Sequence, residues 1–89
     1  MITTLIPKFV EYIPEKLEDG IIYVSMTFAV AVHKCCCGSC ENHVVTPISQ
    51  SDWKLSFDGD SISLEPSIGN FQFPCKSHYY IKHNKVEWC

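Results

Sequence analysis

Cys37-Gly-Ser-Cys40 and Cys75-Lys-Ser-His78 are two short hooks of soft donor atoms in a chain of 89 residues. Each spaces two ligands as a tight turn needs to grip one tetrahedral ion, so together they predict a zinc site made by Cys37, Cys40, Cys75 and His78. Cys35, beside Cys37, is an alternative ligand, and so is His33, which ends an apolar stretch two residues earlier. Four protein ligands would close the coordination shell and leave the ion structural, whereas a hydrolytic zinc keeps one position for water. The spacing is compatible with both. Glu41 directly follows the first hook, where its carboxylate could take a proton from a zinc-bound water. Ser67, in Pro66-Ser-Ile-Gly69, and Ser77, inside the second hook, offer hydroxyls that could hold a substrate carbonyl or a developing oxyanion. Each of these has a plainer use, as a solvated carboxylate or as a backbone cap in a turn. A serine nucleophile with a histidine base stays open, although no Gly-x-Ser-x-Gly elbow is present.

The elements that must position these residues read as strands. Ile21 to His33 is rich in β-branched and aromatic residues and predicts one long strand with Ile22, Val24, Met26, Phe28, Val30 and Val32 facing the core. Phe9 to Pro14 predicts a short extended piece, Glu15 to Asp19 a polar turn ended by Gly20, and Val44-Val45 a further apolar segment before Pro47. Trp53 to Phe57 and Ser61 to Glu65 alternate cleanly around Asp58-Gly59-Asp60, which predicts a hairpin. Pro66 to Asn70 is a loop by composition, and His78 to Lys82 with Lys85 to Trp88 predicts a second hairpin. The expected fold is all-β or mainly β: a single domain over residues 1–89, a small antiparallel sheet and hairpin fold stapled by a zinc ion.

A core this small is marginal without a disulfide, a metal or a partner. Cys35, Cys36, Cys37 and Cys40 are crowded together rather than spread to close sizeable loops, which favours a metal over bridges. A thiol switch ranks last, because no thioredoxin-like βαβ pattern surrounds the cysteines. The net charge of −3, with no basic run, argues against nucleic-acid binding. The apolar stretch is too short and too interrupted to span a bilayer, and the N-terminus lacks an export pattern, so a cytoplasmic location with no membrane role is expected.

Several segments in order resemble the bacterial family catalogued as domain of unknown function 6527: Phe9-Val-Glu-Tyr-Ile-Pro14, His33-Lys-Cys-Cys-Cys-Gly38, Trp53-Lys-Leu-Ser-Phe-Asp-Gly59, Ser63-Leu-Glu-Pro-Ser-Ile-Gly-Asn70 and Phe73-Pro-Cys-Lys-Ser-His-Tyr-Tyr80. The resemblance covers nearly the whole chain. Relatives run Cys-Pro-Cys-Gly-Cys-Gly where this chain has Cys35-Cys-Cys-Gly-Ser-Cys40, as if one residue were inserted, and some carry a glutamate where Glu41 stands. The resemblance implies a place beside bacterial ubiquitin-like modifiers and their conjugation enzymes. It further implies a metal-dependent peptidase that processes the modifier or removes it from targets, with Glu41 as proton shuttle and Ser67 or Ser77 at the oxyanion. The alternative is a non-catalytic, zinc-stapled adaptor that binds the modifier or its conjugating enzyme.

Overall fold

The computed structural model describes residues 2–38, 42–49 and 52–89. Among them there is no helix. Eight strands form two four-stranded sheets, in the orders β1-β2-β3-β4 and β5-β6-β7-β8. The first holds β1 (Ile6–Phe9), β2 (Ile21–Ser25), β3 (Val30–Lys34) and β4 (His43–Pro47); the second holds β5 (Lys54–Phe57), β6 (Ile62–Gly69), β7 (His78–Lys82) and β8 (Lys85–Trp88). All neighbours are antiparallel except β1 and β2, which run parallel.

The sheets are tied at both margins. Thr4 bridges Lys85, and Ile48 bridges Trp53. The N-terminal segment adds Ile2 N–H to the Cys36 carbonyl at 2.8 Å and Leu5 N–H to the Asn84 carbonyl at 2.7 Å. One core therefore lies between the sheets, with Leu5, Ile22, Val24 and Ala31 from one side against Ile62, Leu64, Tyr79 and Ile81 from the other. Leu17, Tyr23 and Val32 form a second, smaller cluster on the opposite face of the first sheet.

The all-β class and both expected hairpins are present. The single long strand over Ile21 to His33 is not: it is a hairpin, β2 and β3, turned at Met26 to Ala29. No Gly or Pro marks this turn. Ser25 makes it instead, its hydroxyl donating to the Glu11 carbonyl at 2.7 Å and accepting from Phe28 N–H at 3.3 Å, while Ala29 takes a left-handed φ of 52°. The expected core face changes accordingly, since Met26 and Phe28 are exposed and Ala31, not Val32, joins Ile22 and Val24 inside. The loop expected over Pro66 to Asn70 is also corrected, because β6 continues through Gly69. Its pairing with β7 slips between Leu64↔Ile81 and Ile68↔Tyr79, so three residues, Glu65, Pro66 and Ser67, oppose the one residue Tyr80. Pro66 suits this bulge, where its missing N–H breaks no ladder bond.

Candidate active site and metal centre

Cys35 and Cys37 leave the end of β3 in the first sheet, and Cys75 sits just before β7 in the second. Their Sγ atoms all lie within 4.8 Å of one another, with Cys35 and Cys75 at 3.5 Å. Sulfurs sharing one tetrahedral zinc stand about 3.8 Å apart, so the spacing fits a metal. The Ser77 hydroxyl lies 3.1 Å from Cys35 Sγ and 3.6 Å from Cys75 Sγ. Hydrogen bonding with Ser77 is the main cause that draws the Cys75 thiol below its usual value, toward the thiolate that metal binding requires. Cys36, between the two ligand candidates, faces differently: burial pushes its thiol up to about 12 and keeps it protonated.

Behind the thiols runs a buried polar chain. Asn70 Nδ2 donates to Ser77 Oγ at 2.9 Å and approaches the Tyr79 hydroxyl at 3.5 Å, and that hydroxyl lies 2.7 Å from His33 Nε2. Full burial depresses the His33 pKa to about 3, so its ring is neutral. Burial likewise raises the pKa of Tyr79, which stays a phenol.

The other constellation lies on the opposite side of β7. In a strand, residues two apart share a face, so Ser67 shares one with Gly69, and Gly69 pairs with His78. His78 is thus the diagonal neighbour of Ser67 across the ladder, within reach of a long side chain. Its Nε2 stands 2.9 Å from Ser67 Oγ. Both residues are half-buried, and the Phe71 ring meets the imidazole edge-on with centroids 5.3 Å apart. Phe71 occupies the space that Gly69 leaves empty: a Cβ there would come within 2.7 Å of the ring. Among the described residues no carboxylate bonds the His78 ring, so the unit is a pair rather than a triad.

The sequence-expected site residues therefore separate. Of the expected ligand set, Cys37 and Cys75 come together, joined by Cys35, while His78 turns to Ser67 and His33 to Tyr79. Cys40 and Glu41 lie outside the described residues. Ser77 is buried among the thiols, away from the face that carries Ser67 and His78. The Ser67–His78 contact was readable only in outline, because it depends on the β6 bulge and on register with β7.

These features define a small all-β protein with two separate chemical centres, a serine–histidine pair and a thiol cluster. A protein-family model described as "Bacterial ubiquitination-like system serine protease (BubE)" matches residues 9–89, and the chain belongs to that family. Neither the curated proteins nor the solved structures contain a match. The family description overturns the metal-dependent peptidase expected above, since the chemistry it names is that of serine, and a family of proteases equally displaces the adaptor reading. The expected link to bacterial ubiquitin-like systems holds. Among the described residues no helix is long and apolar enough to cross a membrane.

Proposed function

We propose that the chain is a serine peptidase that acts on a bacterial ubiquitin-like modifier, with Ser67 as nucleophile and His78 as general base. The observation that carries this reading is the 2.9 Å contact between Ser67 Oγ and His78 Nε2 on the outer side of the β6–β7 ladder. With the other ring nitrogen protonated, Nε2 accepts the hydroxyl proton as Oγ attacks the scissile carbonyl carbon. The same proton passes to the leaving amine when the C–N bond breaks, leaving an acyl-enzyme ester on Ser67. Water, deprotonated by His78, then hydrolyses that ester and restores the hydroxyl. Phe71, whose ring meets the imidazole edge-on, would hold its plane. The bonds this chemistry suits are those at the modifier's C-terminal tail, in a precursor or in a conjugate with a target protein or a conjugation enzyme. The resemblance to domain of unknown function 6527 accords with that setting.

Cys35, Cys37 and Cys75 fit a zinc ion. In this reading the ion braces the two sheets at the root of β7, and no catalytic step passes through it. Ser67→Ala and His78→Ala are each expected to lower cleavage of the modifier precursor by at least about 10³-fold, as loss of a member of a serine machine does, with the fold retained. A fluorophosphonate should label Ser67 in the wild type and fail to label Ser67→Ala. Wild-type cleavage rates in Ser67→Ala would exclude the assignment.

A further inference from the structure

β4 has an outer edge that β3 does not use. Cys35 N–H donates to the Asn42 carbonyl at 2.9 Å and Ile48 N–H to the Ala29 carbonyl at 2.8 Å, in register with the pairing that runs from Val30↔Pro47 to Lys34↔His43. Bonded pairs alternate in an antiparallel ladder, so Val44 and Thr46 turn their backbone groups to β3 while those of His43 and Val45 point away from it. Pro47 lies on that outer side too, and its carbonyl takes Trp53 N–H at 3.1 Å. That bond closes the edge just beyond Val45. The end of β6 repeats the pattern. Asn70 N–H donates to the Ser77 carbonyl at 2.8 Å, which makes Gly69↔His78 a non-bonded pair and aims the Gly69 N–H and C=O away from β7. β5 does not reach them, because its last pairing is Lys54↔Glu65. Among the described residues none bonds the backbone groups of His43, Val45 or Gly69.

These two edges are the walls of one groove of ≈ 300 Å³, with Trp53 and Phe73 also lining it. Gly69 belongs both to the groove and to the face that carries Ser67 and His78. The unpaired N–H and C=O groups of His43 and Val45 on one wall and of Gly69 on the other are complementary to one chemistry, an extended peptide backbone, and a strand seated there would stand about 4.8 Å from each wall.

We infer that this groove binds the flexible C-terminal tail of the modifier by strand addition between His43–Val45 and Gly69, delivering the scissile bond to Ser67. The inference rests on the serine-peptidase reading and names its substrate determinant: recognition is by main-chain pairing at β4, with the folded body of the modifier outside the groove. The tail must be unfolded and free of proline where it faces Val45.

The test uses a fluorescent peptide copying the C-terminal tail of the ubiquitin-like modifier of the same system, and the Ser67→Ala protein, which should hold the peptide uncleaved. Amide exchange at His43, Val45 and Gly69 is expected to slow at least about tenfold on binding. Val45→Pro removes the outward N–H without touching the β3 ladder, a substitution that edge strands accept, and should weaken peptide affinity about tenfold or more. Val45→Thr keeps the N–H and should stay within about twofold of the parent, since it fits an exposed strand position. If Val45→Pro does not fold, the exchange pattern decides alone. The inference is overturned if the peptide binds without protecting the β4 edge, if Val45→Pro binds as tightly as Val45, or if Ser67→Ala binds no peptide. Cleavage by Ser67→Ala would instead refute the nucleophile, while edge protection in the same sample still reports the tail site.

Discussion

Along β7 and at Ser77 just before it, the side chains alternate between two settings that share almost nothing. Ser77 and Tyr79 point inward, buried, and belong to the chain that links the thiols through Asn70 to His33. His78 and Tyr80 point outward, where His78 meets Ser67 and Tyr80 is exposed. The strand pleat thus keeps a buried, low-dielectric polar network one residue away from a half-buried serine–histidine pair. The inner face has the properties of a brace, since Ser77, Asn70, Tyr79 and His33 are tied by successive buried hydrogen bonds, although His33 Nδ1 finds no partner among the described residues. The outer face has a hydroxyl and an imidazole with access to solvent. Substitutions on the two faces should therefore separate stability from chemistry.

The largest effect is expected at the thiols. Cys35→Ala or Cys75→Ala should release the metal and cost roughly 3 kcal/mol or more, because binding energy at a structural zinc site is folding energy. In a chain of this size that is a fall in Tm of about 12–24 °C. Chelation of the wild type should produce a similar fall. The readouts are bound zinc by elemental analysis and thermal unfolding by circular dichroism. Brief exposure to chelator at a temperature where the domain stays folded should leave fluorophosphonate labelling of Ser67 in place. Loss of labelling without loss of fold would break the separation of brace and chemistry.

A smaller effect on the same inner face follows from His33. Its folded pKa is depressed by burial from 6.5 to about 3, so below about pH 6.5 the unfolded chain takes up a proton that the folded chain refuses. The stability that the neutral imidazole contributes is complete above that value and is lost as pH falls toward the folded value. The slope reaches at most about 1.4 kcal/mol per pH unit. Urea unfolding over this window should show a steeper acid loss for the wild type than for His33→Gln, which removes the titrating ring. Thiolate-bound metal is also lost in acid, but in both proteins, so the difference between them isolates His33. Parallel acid profiles would mean that the imidazole is not buried neutral.

Much of this arrangement was legible in the chain and part was not, for reasons of strand parity. The two hairpins at Asp58-Gly59 and His83-Asn84 carry their turn chemistry openly, the latter with two left-handed residues, φ 48° and 69°. The two hooks predict that Cys37 and Cys75 converge, with Cys35 as the alternative ligand, and these three gather. What spacing could not convey is that Cys75 and His78 part company. Lys76 takes a left-handed φ of 48° and the chain then becomes extended, so Ser77 goes inward with the thiols and His78 outward. A Cys-x-x-His hook aims both ligands at one ion when all of it is a turn, whereas here its last residue enters β7 and its ring faces Ser67. The hairpin inside Ile21 to His33 was hidden for a related reason: its turn is made by the Ser25 hydroxyl, which carries no glycine or proline signature. Ser67 was visible as a candidate, but its partner depends on a bulge that sets three residues against one.

The smallest expected effect sharpens the outer face. Phe71 lies over Gly69 and against the His78 ring, yet it is largely exposed, so in the proposed mechanism it would orient the imidazole rather than hold the fold. Gly69→Ala introduces a Cβ that meets the Phe71 ring at 2.7 Å and must turn it away. Because only an exposed ring moves, and Gly69 has no positive φ to strain an alanine, the stability change should stay within about 1 kcal/mol, as at ordinary surface sites. Phe71→Ala removes the same contact from the other side. The two variants should lower kcat by the same roughly tenfold, equivalent to about 1.4 kcal/mol of barrier, and the double variant should be no slower than either alone, since they delete one interaction. Steady-state cleavage of the modifier precursor measures all three. An additive double variant would show that Gly69 and Phe71 act on the reaction independently, and the orientation of His78 would then have to come from elsewhere.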